Sequence, residues 1–88
     1  MVSKQAKIEV TFYTKAGCHL CEDARELLEE IAQETPYALT EIDIRSDMTA
    51  FEMYRYRIPV IVINQETLLE GRIDADELAR AFQQATGR

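Results

Sequence analysis

The sequence predicts an α/β domain: a four-stranded mixed sheet with helices on both faces, its elements in the order βαβαββα. Three observations carry that prediction. The hydrophobic period changes from two residues to helical spacing at Cys18. Val60-Ile61-Val62-Ile63 is an unbroken β-branched run, the pattern of a strand covered on both faces. Asp74, with Glu77 three residues on, resembles the capping box of a further helix. An all-α or all-β chain would not show this mixture.

Each element follows from its own signals. Ile8, Val10 and Phe12 alternate with Glu9, Thr11 and Tyr13, which predicts a half-buried first strand. Thr14 to Gly17 reads as a turn. From Cys18 onward, Leu20, Ala24, Leu27, Leu28 and Ile31 share one helical face, with Glu22, Asp23, Glu26, Glu29 and Glu30 opposite. Pro36 bars Thr35 from helical backbone, so this helix ends before it. It is long enough for a right-handed crossover between parallel strands. Tyr37 to Ile44 reads as the second strand. Ser46 or Asp47 can cap a short helix running to about Tyr54. After the third strand, Asn64-Gln65 is a weaker turn signal than Asn-Gly, because Gln tolerates a left-handed backbone poorly. Thr67 to Glu70 is expected as a fourth strand paired to the third. The last helix should bury Ala75, Leu78, Phe82 and Ala85.

The length of 88 residues suits one domain over 1–88, with 1–6 expected as a short flexible tail. A formal net charge of −6 disfavours nucleic acid as a partner and anionic lipid as a surface. No apolar run is long enough to cross a membrane. Residues 22–34 hold six acids and one base, −5 of the chain's −6, so the acidity belongs mainly to one solvated helix face. Tyr54-Arg55-Tyr56-Arg57 mixes aromatic and basic residues. A helix end packing its tyrosines beside the site explains it better than nucleic-acid stacking.

Two cysteines, Cys18 and Cys21, are the whole complement. They cannot build the multi-bridge scaffold of a small secreted domain, and residues 1–7 lack a signal-peptide core. The expected compartment is the cytoplasm. The pair sits where the first strand hands over to the first helix, which is what gives the spacing force. Cys18 can lie at the cap, facing the free backbone N–H groups, and Cys21 inside the first turn. The dipole end favours a thiolate, which is the nucleophile of disulfide exchange. Lys15 and a protonated His19 add to that effect; Glu22 and Asp23 oppose it. The balance predicts a Cys18 pKa below the ~8.5 of a free cysteine, short of the lowest known values. Cys18 is therefore the attacking and Cys21 the resolving sulfur. The competing readings are a half zinc site, for which Cys18, Cys21 and His19 supply too few ligands, and an inert thiol pair. His19 is either an exposed cap neighbour or a group that tunes Cys18.

The segment Phe12-Tyr13-Thr14-Lys15-Ala16-Gly17-Cys18-His19-Leu20-Cys21 resembles the active-site segment of the glutaredoxins, within the thioredoxin superfamily. The whole chain, from about Lys7 to Phe82, is similar to small bacterial glutaredoxin-like proteins with a Cys-His-Leu-Cys centre. There the later segment reads much like Tyr54-Arg55-Tyr56-Arg57-Ile58-Pro59-Val60. The resemblance implies a thioredoxin-like, three-layer α/β/α fold. It also implies that Pro59 is a cis-proline facing the thiols, where sequence alone leaves a trans proline open. The Ile58 peptide would then offer N–H and C=O to a substrate backbone.

In glutaredoxins a lysine at the place of Lys15 helps hold glutathione, with a Thr-Val-Pro-like segment and a Gly-Gly turn followed by acids. Here Lys15 matches, Arg57-Ile58-Pro59 stands for the Thr-Val-Pro segment, and Glu70-Gly71-Arg72-Ile73-Asp74 for the glycine turn. Leu20 replaces the usual aromatic beside the second cysteine. The expected substrate-binding set is Lys15, His19, Leu20, Arg57, Ile58, Pro59, Gly71 and Arg72. Arg57 and Arg72 either pair with substrate carboxylates or are solvated surface charge; with Lys15 they would make the thiol rim locally positive.

The expected activity is thiol–disulfide oxidoreduction by a monomer, on a disulfide-containing protein or a glutathione mixed disulfide. No metal or organic cofactor is required, with glutathione as a possible co-substrate. Electrons would come from glutathione or a thioredoxin-reductase-like system. Two other classes stay open: a glutathione-bridged iron–sulfur carrier, and a non-catalytic module that uses the fold for binding.

Overall fold

The computed structural model describes residues 7–86, and the tail expected over 1–6 lies outside the described residues. The elements are β1 (Ile8–Thr14), α1 (His19–Ala32), β2 (Tyr37–Asp43), α2 (Met48–Tyr54), β3 (Val60–Ile63), β4 (Thr67–Glu70) and α3 (Ala75–Thr86), with a 3-10 turn over Ile44–Ser46. The sheet order is β2-β1-β3-β4. β1 and β2 are parallel, whereas β1/β3 and β3/β4 are antiparallel. This is the mixed four-stranded sheet and βαβαββα order of a thioredoxin-like fold.

Strand alternation builds two cores. Ile8, Val10 and Phe12 of β1, with Ile61 and Ile63 of β3 and Leu69 of β4, face α1 and α3. The helices meet them with Cys21, Ala24 and Leu28, and with Leu78, Ala81 and Phe82. Tyr13, Val60 and Val62 point the other way, onto Ala50, Phe51 and Tyr54 of α2 and onto Ile44. β3 is therefore covered on both faces, as its unbroken β-branched run requires. Two tyrosines link these layers. The Tyr37 hydroxyl donates to the Leu28 carbonyl at 2.6 Å, and the Tyr13 ring lies 4.5 Å from that of Tyr54.

Local signals set the boundaries. The Asp47 side chain accepts from the Ala50 N–H at 3.2 Å and caps α2, while Ser46 donates its hydroxyl to the Asp43 carbonyl. The capping box of α3 is formed in both directions: Asp74 N–H to Glu77 and Glu77 N–H to Asp74.

Four expectations shift. Thr14 is the last residue of β1 rather than the first of a turn, and it is buried on the Phe12 face. The inner face of α1 begins at Cys21, with Leu20 only half-buried, because the helix starts at His19 and its phase follows the cap. Ile44 leaves β2 for the 3-10 turn, where its side chain is fully buried. Ala75 is exposed and Ala81 takes its place, since a residue in the first turn points past the end of the sheet. At the β3–β4 turn, Asn64 and Gln65 both adopt positive φ, 54° and 60°. Asn64 is held there by bonds in both directions with Glu9 of β1, which offset the poor preference of Gln65.

Candidate active site

β1 ends beside β3 and releases the chain into Lys15–Gly17. Gly17 takes a φ of 79°, a left-handed conformation that is costly for any residue with a Cβ. It delivers Cys18 to the N-cap of α1 with extended backbone, φ −97° and ψ 109°. The Cys18 Sγ accepts the Cys21 N–H at 3.1 Å, and the Cys18 carbonyl accepts the Glu22 N–H at 3.1 Å. The sulfur therefore occupies the place of a capping oxygen, on donors that the helix cannot satisfy itself. Cys18 and Cys21 are joined as a disulfide, their Cα atoms 5.2 Å apart. The two sulfurs differ in access: Cys18 is half-buried, whereas Cys21 retains 1% of its exposure and belongs to the core.

The register brings a second segment to the same end of the sheet. Val60 pairs with Tyr13 on one side and Glu70 on the other, so Pro59 enters β3 beside the end of β1 from which Cys18 departs, with Glu70 one strand beyond. The Ile58–Pro59 peptide is cis and Pro59 is buried. Gly71, at φ 71°, donates its N–H to both the Arg57 and Pro59 carbonyls, at 3.1 and 2.9 Å. The Ile58 N–H corrects an expectation, because it already donates to the Tyr54 carbonyl at 3.0 Å. The α2 exit turn thus claims the donor that was to meet a substrate backbone.

Charge around the site is mostly paired. The Arg57 guanidinium meets Glu70 at 2.6 Å and lies 5.3 Å over the Tyr54 ring, so it is exposed but already paired within the chain. On the opposite side, a cleft of about 270 Å³ is lined by Thr14, Lys15, Cys21, Arg25, Glu41 and Asp43, among others. Arg25 binds Glu41 at 2.5 Å, and that hydrogen bond holds the Glu41 carboxyl below its ordinary range against the opposing effect of burial. Asp43 is lowered by its bonds from the Arg45 side chain and backbone. Burial, then the Tyr54 and Asp47 charges, raises Tyr13.

Comparison with known proteins decides the family. The family model described as "Glutaredoxin-like domain (DUF836)" matches residues 9–83. The chain belongs to that glutaredoxin-like family. A Dictyostelium discoideum protein described as a glutaredoxin-like protein YDR286C homolog is 31% identical over 77 residues, covering 81% of this chain and 71% of that protein. Among solved structures, protein XcR50 from X. campestris is 31% identical with a TM-score of 0.70, covering 88% of this chain and 97% of its own. A mutant thioredoxin from Halobacterium salinarum has a TM-score of 0.73 at 21% identity, over 91% of this chain and 75% of its own. That likeness is of fold alone.

Within this glutaredoxin-like domain, the residues singled out by sequence are distributed as follows. Lys15, Cys18, Arg57, Ile58, Pro59 and Gly71 lie at one end of the sheet, on loops set by β1, β3 and β4. His19 is exposed as the first residue of α1, Leu20 is half-buried beside it, and Arg72 is exposed past Gly71. Of the tyrosines before Pro59, Tyr54 is buried and Tyr56 is 86% exposed, so only the first packs as expected. Sequence reasoning missed Glu70 as the partner of Arg57. The signal was present in the β3–β4 hairpin, whose pairing sets Glu70 opposite Val60, next to the proline. Among the described residues, no three His, Cys, Asp or Glu side chains are grouped as a metal site, and no helix is long and apolar enough to cross a membrane.

Proposed function

We propose that this protein is a thiol–disulfide oxidoreductase working through Cys18 and Cys21. The observation that carries the reading is the unequal access of two sulfurs at one helix start: Cys18 half-buried at the cap, Cys21 beneath it in the core. In the reduced protein the Cys18 thiolate attacks one sulfur of a substrate disulfide. The substrate S–S bond breaks, a Cys18 mixed disulfide forms, and the departing thiolate takes up a proton. Cys21 then loses its proton and attacks the Cys18 Sγ, releasing the second substrate thiol. The substrate gains two electrons, and the enzyme pair becomes the disulfide. The helix N-terminus stabilises the Cys18 thiolate through its dipole and through the Cys21 N–H that bonds its sulfur.

Substrates in this reading are disulfide-containing proteins or glutathione mixed disulfides. Lys15, Leu20, Pro59, Gly71, Arg72 and the Ile58 carbonyl line the approach; the tied N–H of Ile58 leaves the carbonyl as the substrate-facing half of that peptide. Glutathione or a thioredoxin-reductase-like system returns the electrons, and the domain works as a monomer without a resident cofactor, in a reducing compartment such as the cytoplasm. A redox titration of the pair against glutathione buffers, followed by intact-mass spectrometry, tests this. The expected result is one two-electron transition, with any glutathione adduct mapping to Cys18. Two independent one-thiol transitions, or an adduct confined to Cys21, would contradict it.

A further inference from the structure

We propose that Glu70 is a specificity-determining residue that sets the active-site rim against carboxylate-bearing disulfides. The inference rests on the oxidoreductase reading and concerns which substrates that site accepts. Arg57 sits two residues before the buried cis-proline, at the sheet end from which Cys18 departs. Its Nε and one terminal nitrogen both lie 2.6 Å from the same Glu70 oxygen. Those two N–H groups form the side of the guanidinium fork that grips a carboxylate in parallel. Glu70 therefore occupies the geometry that an anionic substrate would need.

Three further contacts fix this arrangement. The guanidinium lies over the Tyr54 ring at 5.3 Å, and Tyr54 is buried and packs tilted against the Tyr13 ring at 4.5 Å. The Arg57 and Pro59 carbonyls both accept the N–H of Gly71, the residue after Glu70. Glu70 is itself the residue of β4 paired to Val60. Main chain and side chain thus hold residues 57–59 and 70–71 as one unit, so Glu70 competes for Arg57 at a fixed, high local concentration. A substrate carboxylate must displace it, whereas a neutral disulfide meets no such competitor. The pair is half-exposed, 42% for Arg57 and 46% for Glu70. Its coupling is then that of a surface ion pair, and releasing it should change a rate by about two- to fivefold.

The test is single-turnover oxidation of the dithiothreitol-reduced protein, freed of reductant, by two disulfides. Oxidised glutathione carries carboxylates; bis(2-hydroxyethyl) disulfide carries none. Glu70→Gln keeps the size and an acceptor oxygen but removes the charge. It is expected to raise the second-order rate with oxidised glutathione about two- to fivefold and to leave the neutral disulfide unchanged. The Arg57→Gln/Glu70→Gln double variant should lose that gain, because the freed cation is its cause. An equal change with both disulfides, no change with either, or a gain that survives in the double variant overturns the proposal while leaving the oxidoreductase reading intact. Failure of the reduced wild type to react with either disulfide overturns both.

Discussion

At the residue scale, the difference between Cys18 and Cys21 comes from one cap. Cys18 accepts a helix N–H at the surface, and Cys21, three residues on, turns into the core. Iodoacetamide should therefore modify the reduced protein at Cys18 first, with Cys21 labelled only after denaturation; peptide mapping reads the order. This cap was legible in the sequence because spacing and helix phase are local. The Arg57–Glu70 pair is legible only through the β3–β4 register, because its partners are 13 residues apart. Arg25–Glu41 was hidden for the same reason, since it joins α1 to the edge strand β2. That pair gives a signed pH prediction. Glu41 titrates lower in the folded chain than in the unfolded one, first through its hydrogen bond from Arg25. Its contribution to stability is complete above the ordinary glutamate value of about 4.3 and is lost as pH falls through the lower folded value. Glu41→Gln should cost about 0.2–1 kcal/mol at pH 7, the range of exposed ion pairs. The cost should vanish in acid below the folded value, as read by urea unfolding at both pH values.

At the element scale, the helix starts carry the precision. Gly17 has open space where a Cβ would stand, so its requirement is conformational and not steric. Gly17→Ala should cost about 1–2 kcal/mol through the left-handed backbone alone and slow the reaction by loosening the Cys18 cap. Thermal unfolding and single-turnover rates check the two effects together. Asp74→Ala removes the α3 cap and should cost about 1 kcal/mol, lowering Tm by roughly 4–8 °C for a domain of this size with little effect on the dithiol. Element type and order were readable from periodicity throughout, and the Asp74–Glu77 box was readable to the residue. Ala75 and Leu20 were misplaced because hydrophobic spacing fixes a helical face only after the first residue is known. The Asn64-Gln65 turn was undervalued because its support comes from Glu9, far away in sequence.

At the scale of the whole molecule, the site exists because strand order β2-β1-β3-β4 gathers three chain segments at one sheet end. The thiol loop leaves β1 there, the cis-proline enters β3 there, and Glu70–Gly71 leaves β4 there. Leu78, one turn into α3, is fully buried against this scaffold. Leu78→Ala should cost about 2–5 kcal/mol and reduce activity only in proportion to the unfolded fraction. The net charge of −6 says little about what a substrate meets. The acids of α1 face solvent on its outer side, whereas the sheet end that holds Cys18 carries Lys15 and the Arg57–Glu70 pair. The division of labour between the two sulfurs is tested most directly by trapping. Cys21→Ser protein is mixed with bis(2-hydroxyethyl) disulfide, and the product is mapped by non-reducing mass spectrometry. A stable mixed disulfide on Cys18 is the predicted result, with Cys18→Ser protein forming none on Cys21 over the same time. Equal trapping on Cys21 in the Cys18→Ser protein, or no adduct on Cys18, would contradict the assignment.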